Sequence, residues 1–130
     1  MLRIFSIFTV LFAIFSTSAV ASEWIPGFED VPLMEKTYTV LDDGFVYSIP
    51  DGKIVRATVA SDAVTRRQFQ RFYRDSLKEL GWTRILDNSD LQIFKREGER
   101  LEIEIIGTSP FNSKFTLTSD RHSVDNNSDD

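Results

Sequence analysis

The sequence predicts an α+β fold: an antiparallel sheet of about five to seven strands with one long helix packed across one face, in the order β-β-β-α-β-β-β-β. Three observations carry this. A single stretch, Val64 to Trp82, has helical periodicity with a marked start and stop. Short runs of period 2 lie on both sides of it, and the connections between those runs are too short for parallel crossovers.

The helix is the best-marked element. Thr65 followed three residues later by Gln68 is a capping box, in which the threonine oxygen accepts a first-turn N–H and the glutamine reaches back to the cap. With Thr65 as N-cap, Val64 and Phe69 occupy the positions of a hydrophobic staple. Gly81 suits the left-handed residue that ends a helix, and Trp82 can then fold back on Leu77. The helix is therefore predicted over about Arg66 to Leu80. At about 100° per residue, Phe69, Phe72, Tyr73, Ser76, Leu77 and Leu80 share the face turned to the core. Arg67, Arg71, Arg74 and Lys78 form a basic stripe elsewhere on the same helix.

Before it, Lys36 to Leu41 and Phe45 to Ile49 read as strands around Asp42-Asp43-Gly44. Pro50-Asp51-Gly52 is a turn leading to Lys53 to Ala60, where Val55, Ala57 and Val59 define the buried side. After it come Trp82 to Leu86, Leu91 to Lys95 and Leu101 to Ile106, separated by Asn88-Ser89 and by Glu97-Gly98-Glu99. A loop containing Pro110 and Asn112-Ser113 precedes a last short strand, Lys114 to Thr118. These strands and the helix make one α+β domain over residues 35–119.

The ends read differently. Met1 to Arg3 is a short positive start, Ile4 to Phe15 is mostly apolar, and Ala19-Val20-Ala21 is a small-residue cleavage site, so residues 1–21 are expected to be a signal peptide cut after Ala21. An uncleaved anchor is the alternative, against which stands an apolar run shorter than the roughly 20 residues of a span. No transmembrane span is expected after cleavage. Residues 22–34, SEWIPGFEDVPLM, are an apolar arm with neither period; it either drapes over the domain or binds a partner. Residues 120–130 are polar and acidic and are expected to be disordered.

Composition narrows the function. Of 130 residues, 15 are basic and 20 acidic, giving a net charge of −5; removing residues 1–21 takes away Arg3 alone and makes it −6. That balance argues against nucleic-acid binding, which runs on phosphate neutralisation. No cysteine is present, so an exported chain would be held by its core without disulfides, and a lipid-anchored lipoprotein is not expected.

Several stretches taken together carry a resemblance: Asp30-Val31-Pro32-Leu33-Met34, Asp51-Gly52-Lys53-Ile54-Val55, Phe72-Tyr73 with Leu77 and Leu80-Gly81-Trp82, and Phe94-Lys95-Arg96-Glu97-Gly98-Glu99 with Leu101. They resemble small exported proteins of alphaproteobacteria of uncharacterised function, which implies export to the periplasm of a Gram-negative bacterium and one compact domain, without a mechanism. The Leu80-Gly81-Trp82 stretch and the element order are also similar to helix-grip modules of accessory lipoproteins in outer-membrane protein assembly.

No catalytic constellation emerges. The sole histidine, His122, lies in the tail, so no Ser-His pair can be placed. No metal-ligand cluster or phosphate loop is present, and no cofactor or metal is expected. Glu102 and Glu104 share a strand face about 7 Å apart, yet their alternation with Leu101, Ile103 and Ile105 turns them to water; an enzyme using carboxylates ranks last. Phe69, Phe72, Tyr73, Trp82, Phe94 and Phe115 either fill the core or line a pocket for a small apolar ligand. The stripe Arg67, Arg71, Arg74 and Lys78 is either a solvated face or a docking surface for an acidic protein partner or an anionic membrane surface. Arg66 and Arg67 stand in the first helical turn, where the macrodipole disfavours cations, which favours the docking reading. The preferred expectation is a non-enzymatic periplasmic protein acting by interaction.

Overall fold

The computed structural model describes residues 23–40, 44–50, 52–108 and 110–120. The element order is β1 (Tyr38–Thr39), β2 (Phe45–Ile49), β3 (Gly52–Ser61), α1 (Arg66–Glu79), β4 (Thr83–Asp87), β5 (Leu91–Arg96), β6 (Glu99–Ile106) and β7 (Phe111–Asp120). This is the α+β fold read from the sequence, with seven strands in one antiparallel sheet. Its order is β1-β3-β7-β6-β5-β4, and β2 lies beside β1 along the same edge of β3. The edge strands are thus β4 on one side and β1 with β2 on the other.

The centre of the sheet is the long pair β3 and β7, in register from Gly52↔Asp120 to Ser61↔Phe111. The last strand is longer than its predicted core, Lys114 to Thr118, because Phe111 and Ser113 continue its inward alternation and both are fully buried. A serine at an inward position hid that continuity. Conversely, the predicted strand Lys36 to Leu41 shrinks to two residues. Lys36 turns the chain with φ 64° and its carbonyl accepts from the buried Ser61 hydroxyl, while the Thr37 hydroxyl donates to the Met34 carbonyl. Leu41, Asp42 and Asp43 lie outside the described residues, as do residues 1–21 and the tail from residue 121, His122 included. Asp120, read as the first tail residue, is instead the last of β7.

The helix ends as its caps dictate. Thr65 accepts from the Gln68 amide at 3.1 Å and the Gln68 side chain accepts from the Thr65 amide at 2.9 Å. At the far end the Trp82 amide reaches the Leu77 carbonyl and the Gly81 amide the Lys78 carbonyl, the paired bonds of a Schellman stop with Gly81 at φ 89°. Trp82 is thereby aimed into the core.

Phe69, Tyr73 and Leu77 bury the helix against Val55, Val59, Leu101, Ile103, Phe111 and Phe115 of the sheet. The apolar arm closes this core from the side. Ile25, Phe28 and Val31 are as buried as any strand residue, and Leu33 and Met34 pack against them. A short bridge, Trp24↔Pro32, and the Ile25–Val31 backbone bond fold the arm on itself. No helix among the described residues is long and apolar enough to cross a membrane.

Candidate binding surface

The helix is amphipathic in three sectors, and the third was not visible in the sequence. Beside the apolar face runs a flank, Arg66, Gln70 and Arg74, spaced four residues apart so that one side chain emerges per turn. Each meets the end of β4 or its connection to β5. Arg66 Nη2 contacts Asp90 Oδ1 and the Ser89 carbonyl at 2.7 Å, Gln70 Nε2 donates to the Asn88 carbonyl at 2.7 Å, and Arg74 Nε contacts Asp87 Oδ2 at 2.5 Å. The connection is itself a side-chain turn, since Asn88 Oδ1 accepts from the amides of Asp90 and Leu91.

This flank changes the reading of two predicted residues. Arg66 at the first turn is satisfied by Asp90 and nearby carbonyls, Ile105 among them, so its unfavourable place in the helix dipole is accounted for by the fold. Arg74 belongs to the same structural seam. Burial pushes the Asp87 carboxyl up, but the hydrogen bonds from Arg74 and Gln92 and the nearby Arg84 guanidinium outweigh it and hold the group below its ordinary value. The hydrogen bond to Asp87 in turn holds the Arg74 guanidinium more firmly protonated.

Arg67, Arg71 and Lys78 stand one step further round the helix. All three are exposed, and none makes an ion pair among the described residues. The predicted stripe is therefore three available cations with a fourth, Arg74, engaged behind them. Between the C-terminal half of the helix and β4 the surface dips into a recess of about 450 Å³. It is lined by Arg74, Lys78 and Arg84 on the cationic side and by Trp82 and Phe94 beneath, with Asp75 and Thr83 at its rim.

Of the predicted aromatic group, Phe69, Tyr73, Trp82, Phe94 and Phe115 belong to the core cluster and Phe72 packs against it. Phe69 lies 4.8 Å from Tyr73, 5.2 Å from Phe111 and 6.1 Å from Phe115, centroid to centroid. Phe72 stacks edge-on to Tyr73. Of the six, Trp82 and Phe94 border the recess just described. The Trp82 ring is also covered by the Arg96 guanidinium at 4.3 Å.

Arg96 forms a second polar junction whose partners lie far apart in the sequence. It donates to Asp30 Oδ2 at 2.5 Å and to the Leu80 carbonyl at 3.1 Å, and it faces Glu99. One guanidinium so joins the arm, the helix end and the β5–β6 hairpin. A broader depression of about 1070 Å³ opens beside it, with Lys95 and Arg100 set against Glu97 and Glu99. That mixture gives it no net sign.

Glu102 and Glu104 lie on the sheet face away from the helix, Glu102 bound to Arg100 at 2.7 Å and Glu104 exposed. Among the described residues no group of three or more His, Asp or Glu is placed to hold a metal ion. The chain matches no protein-family model, and neither a curated protein nor a solved structure matches it. Fold and surface therefore define it as a two-layer α+β protein with a cationic helix face.

Proposed function

We propose that this is an exported, non-enzymatic protein of the periplasm that acts by docking an acidic protein partner on Arg67, Arg71 and Lys78, with Arg84, itself paired to Asp87, at the margin. One observation carries the reading. On a chain of net charge −5, three exposed cations share a helix face and make no ion pair among the described residues, although Arg66 and Arg74 of the same helix are both engaged. A row of like charge on one helix face attracts an oppositely charged surface and speeds its approach. Export rests on the Met1 to Ala21 pattern.

The experiment is in-cell crosslinking from a photoreactive residue at Arg71, with and without the charge reversals Arg67→Glu and Lys78→Glu. Arg74 is left intact because it supports Asp87. A dominant protein adduct that disappears on reversal supports the reading. An adduct unaffected by reversal, or binding only to vesicles of anionic lipid, overturns it.

A further inference from the structure

At Lys78 the basic face borders a recess that it shares with Thr83 and Arg84 of β4, a free sheet edge. Among the described residues β4 pairs with β5 alone, so its other side offers unpaired backbone N–H and C=O groups. Thr83, Arg84, Ile85 and Leu86 are all exposed, and the two aliphatic side chains retain 54% and 39% of their surface in solvent. β4 is short and carries Arg84 and a register shift between Arg84 and Leu86, features that blunt a sheet edge, yet it leaves two adjacent apolar residues, Ile85 and Leu86, open to solvent.

The pairing assigns faces to this edge. Arg84 is opposite Phe94 and so shares the helix side of the sheet, whereas Leu86 is opposite Ile93 on the outer side. A strand laid along β4 would direct alternate side chains to these two surfaces. Those on the helix side would meet Arg84, Lys78 and the recess of about 450 Å³. Those on the outer side would cover Ile85 and Leu86.

We infer that β4 takes up an extended segment of the partner as an added strand, with acidic residues alternating with aliphatic ones. The inference rests on the basic-face reading and specifies the partner's form. Backbone pairing would supply affinity, and the two faces would supply selectivity. A second copy of this chain fits less well, since Thr83 to Asp87 carries one cation and one anion and would set two basic helix faces side by side. The chain's own acidic end also fits less well, because residues 121–130 contain one aliphatic residue, Val124, beside Arg121, His122, two serines and five Asp or Asn residues, the last of which strands disfavour.

The probe is a labelled octapeptide of alternating valine and glutamate, compared with the same peptide methylated at successive backbone nitrogens. Methylation keeps every charge and side chain and removes the donors. The unmodified peptide is expected to bind at least about tenfold more tightly, to slow amide exchange across Thr83 to Asp87, and to be lost on reversal of Arg67, Arg71 and Lys78. Equal affinity of the two peptides would overturn strand addition while leaving the basic-face reading in place. Loss of neither peptide on charge reversal would overturn both. Slow exchange at β4 in the free protein that disappears on dilution, or on removal of residues 121–130, would give the edge to a second copy or to the chain's own end and so overturn the inference.

Discussion

The Tyr73 hydroxyl donates to the Pro32 carbonyl at 2.8 Å and accepts from the Met34 amide at 3.3 Å, so the centre of the helix fastens the irregular arm by its backbone. The ring is fully buried, which leaves these two groups as the hydroxyl's partners in place of water.

Tyr73→Phe keeps the ring and strands both backbone groups. Each unmet buried group costs about 1–3 kcal/mol, and partial relaxation of the arm should hold the total near the lower end. Amide exchange at Ile25, Phe28 and Leu33, whose N–H groups make the arm's internal bonds, should accelerate more than exchange in β6. The same substitution alters the alkaline limb. Burial, partly offset by the Met34 amide, raises the phenol well above its ordinary 10.0. The unfolded chain therefore loses this proton first, and native stability falls as pH rises past that ordinary value. In the phenylalanine variant the fall should be shallower by one proton, which denaturant titrations at successive alkaline pH values would measure.

The elements that could be read in advance are those whose signal is local. Thr65 with Gln68, and Gly81 with Trp82, are near neighbours in the chain, and both ends of the helix formed as their spacing predicts. The seam of Arg66, Gln70 and Arg74 was not readable because its partners, Asp87 to Asp90, are distant in sequence and polar, and nothing local distinguishes an arginine bound to a distant carboxylate from one facing water. Gln92 and Ser113 show the same limit in the sheet: both are fully buried polar residues at inward positions. Gln92 is admitted there by donating to the Gln70 carbonyl at 3.0 Å, a bond that exists only once the helix has packed. For the binding surface, the sequence contained the four cations, and the fold divided them into three available and one engaged.

Asp87→Asn tests that division. Gln92 and Arg74 donate to different oxygens of Asp87; the asparagine keeps one acceptor oxygen for the two donors and lacks the charge that holds the Arg74 side chain inward. Arg74 is partly exposed, so solvent screening limits the loss to about 1 kcal/mol. The pH dependence is more diagnostic than the magnitude. Because the native Asp87 group lies below its ordinary 3.8, its contribution is present above that value and is lost as pH falls through the native one. The variant should give up less stability on acidification below about pH 4, and crosslinking at Arg71 should be unchanged.

Arg96→Lys separates charge from shape at the junction of arm, helix and hairpin. An ammonium can still approach Asp30, but it cannot lie flat on Trp82 while also reaching the Leu80 carbonyl, because those contacts use the planar guanidinium and its fork of donors. The stacked contact alone is worth about 0.5–2 kcal/mol, and the carbonyl at the helix end then loses a charged donor. A total loss of about 2 kcal/mol follows, which for a domain of this size lowers the unfolding midpoint by about 8–16 °C. Removing the charge as well, with Arg96→Met, leaves Asp30 without its partner beside the arm and should cost more than lysine. The ordering arginine, lysine, methionine in thermal unfolding, with proteolysis near Phe28 rising in step, is the expected result. Equal stability of the lysine variant and the native chain would show that simple charge neutralisation of Asp30 suffices and that the stack on Trp82 contributes nothing.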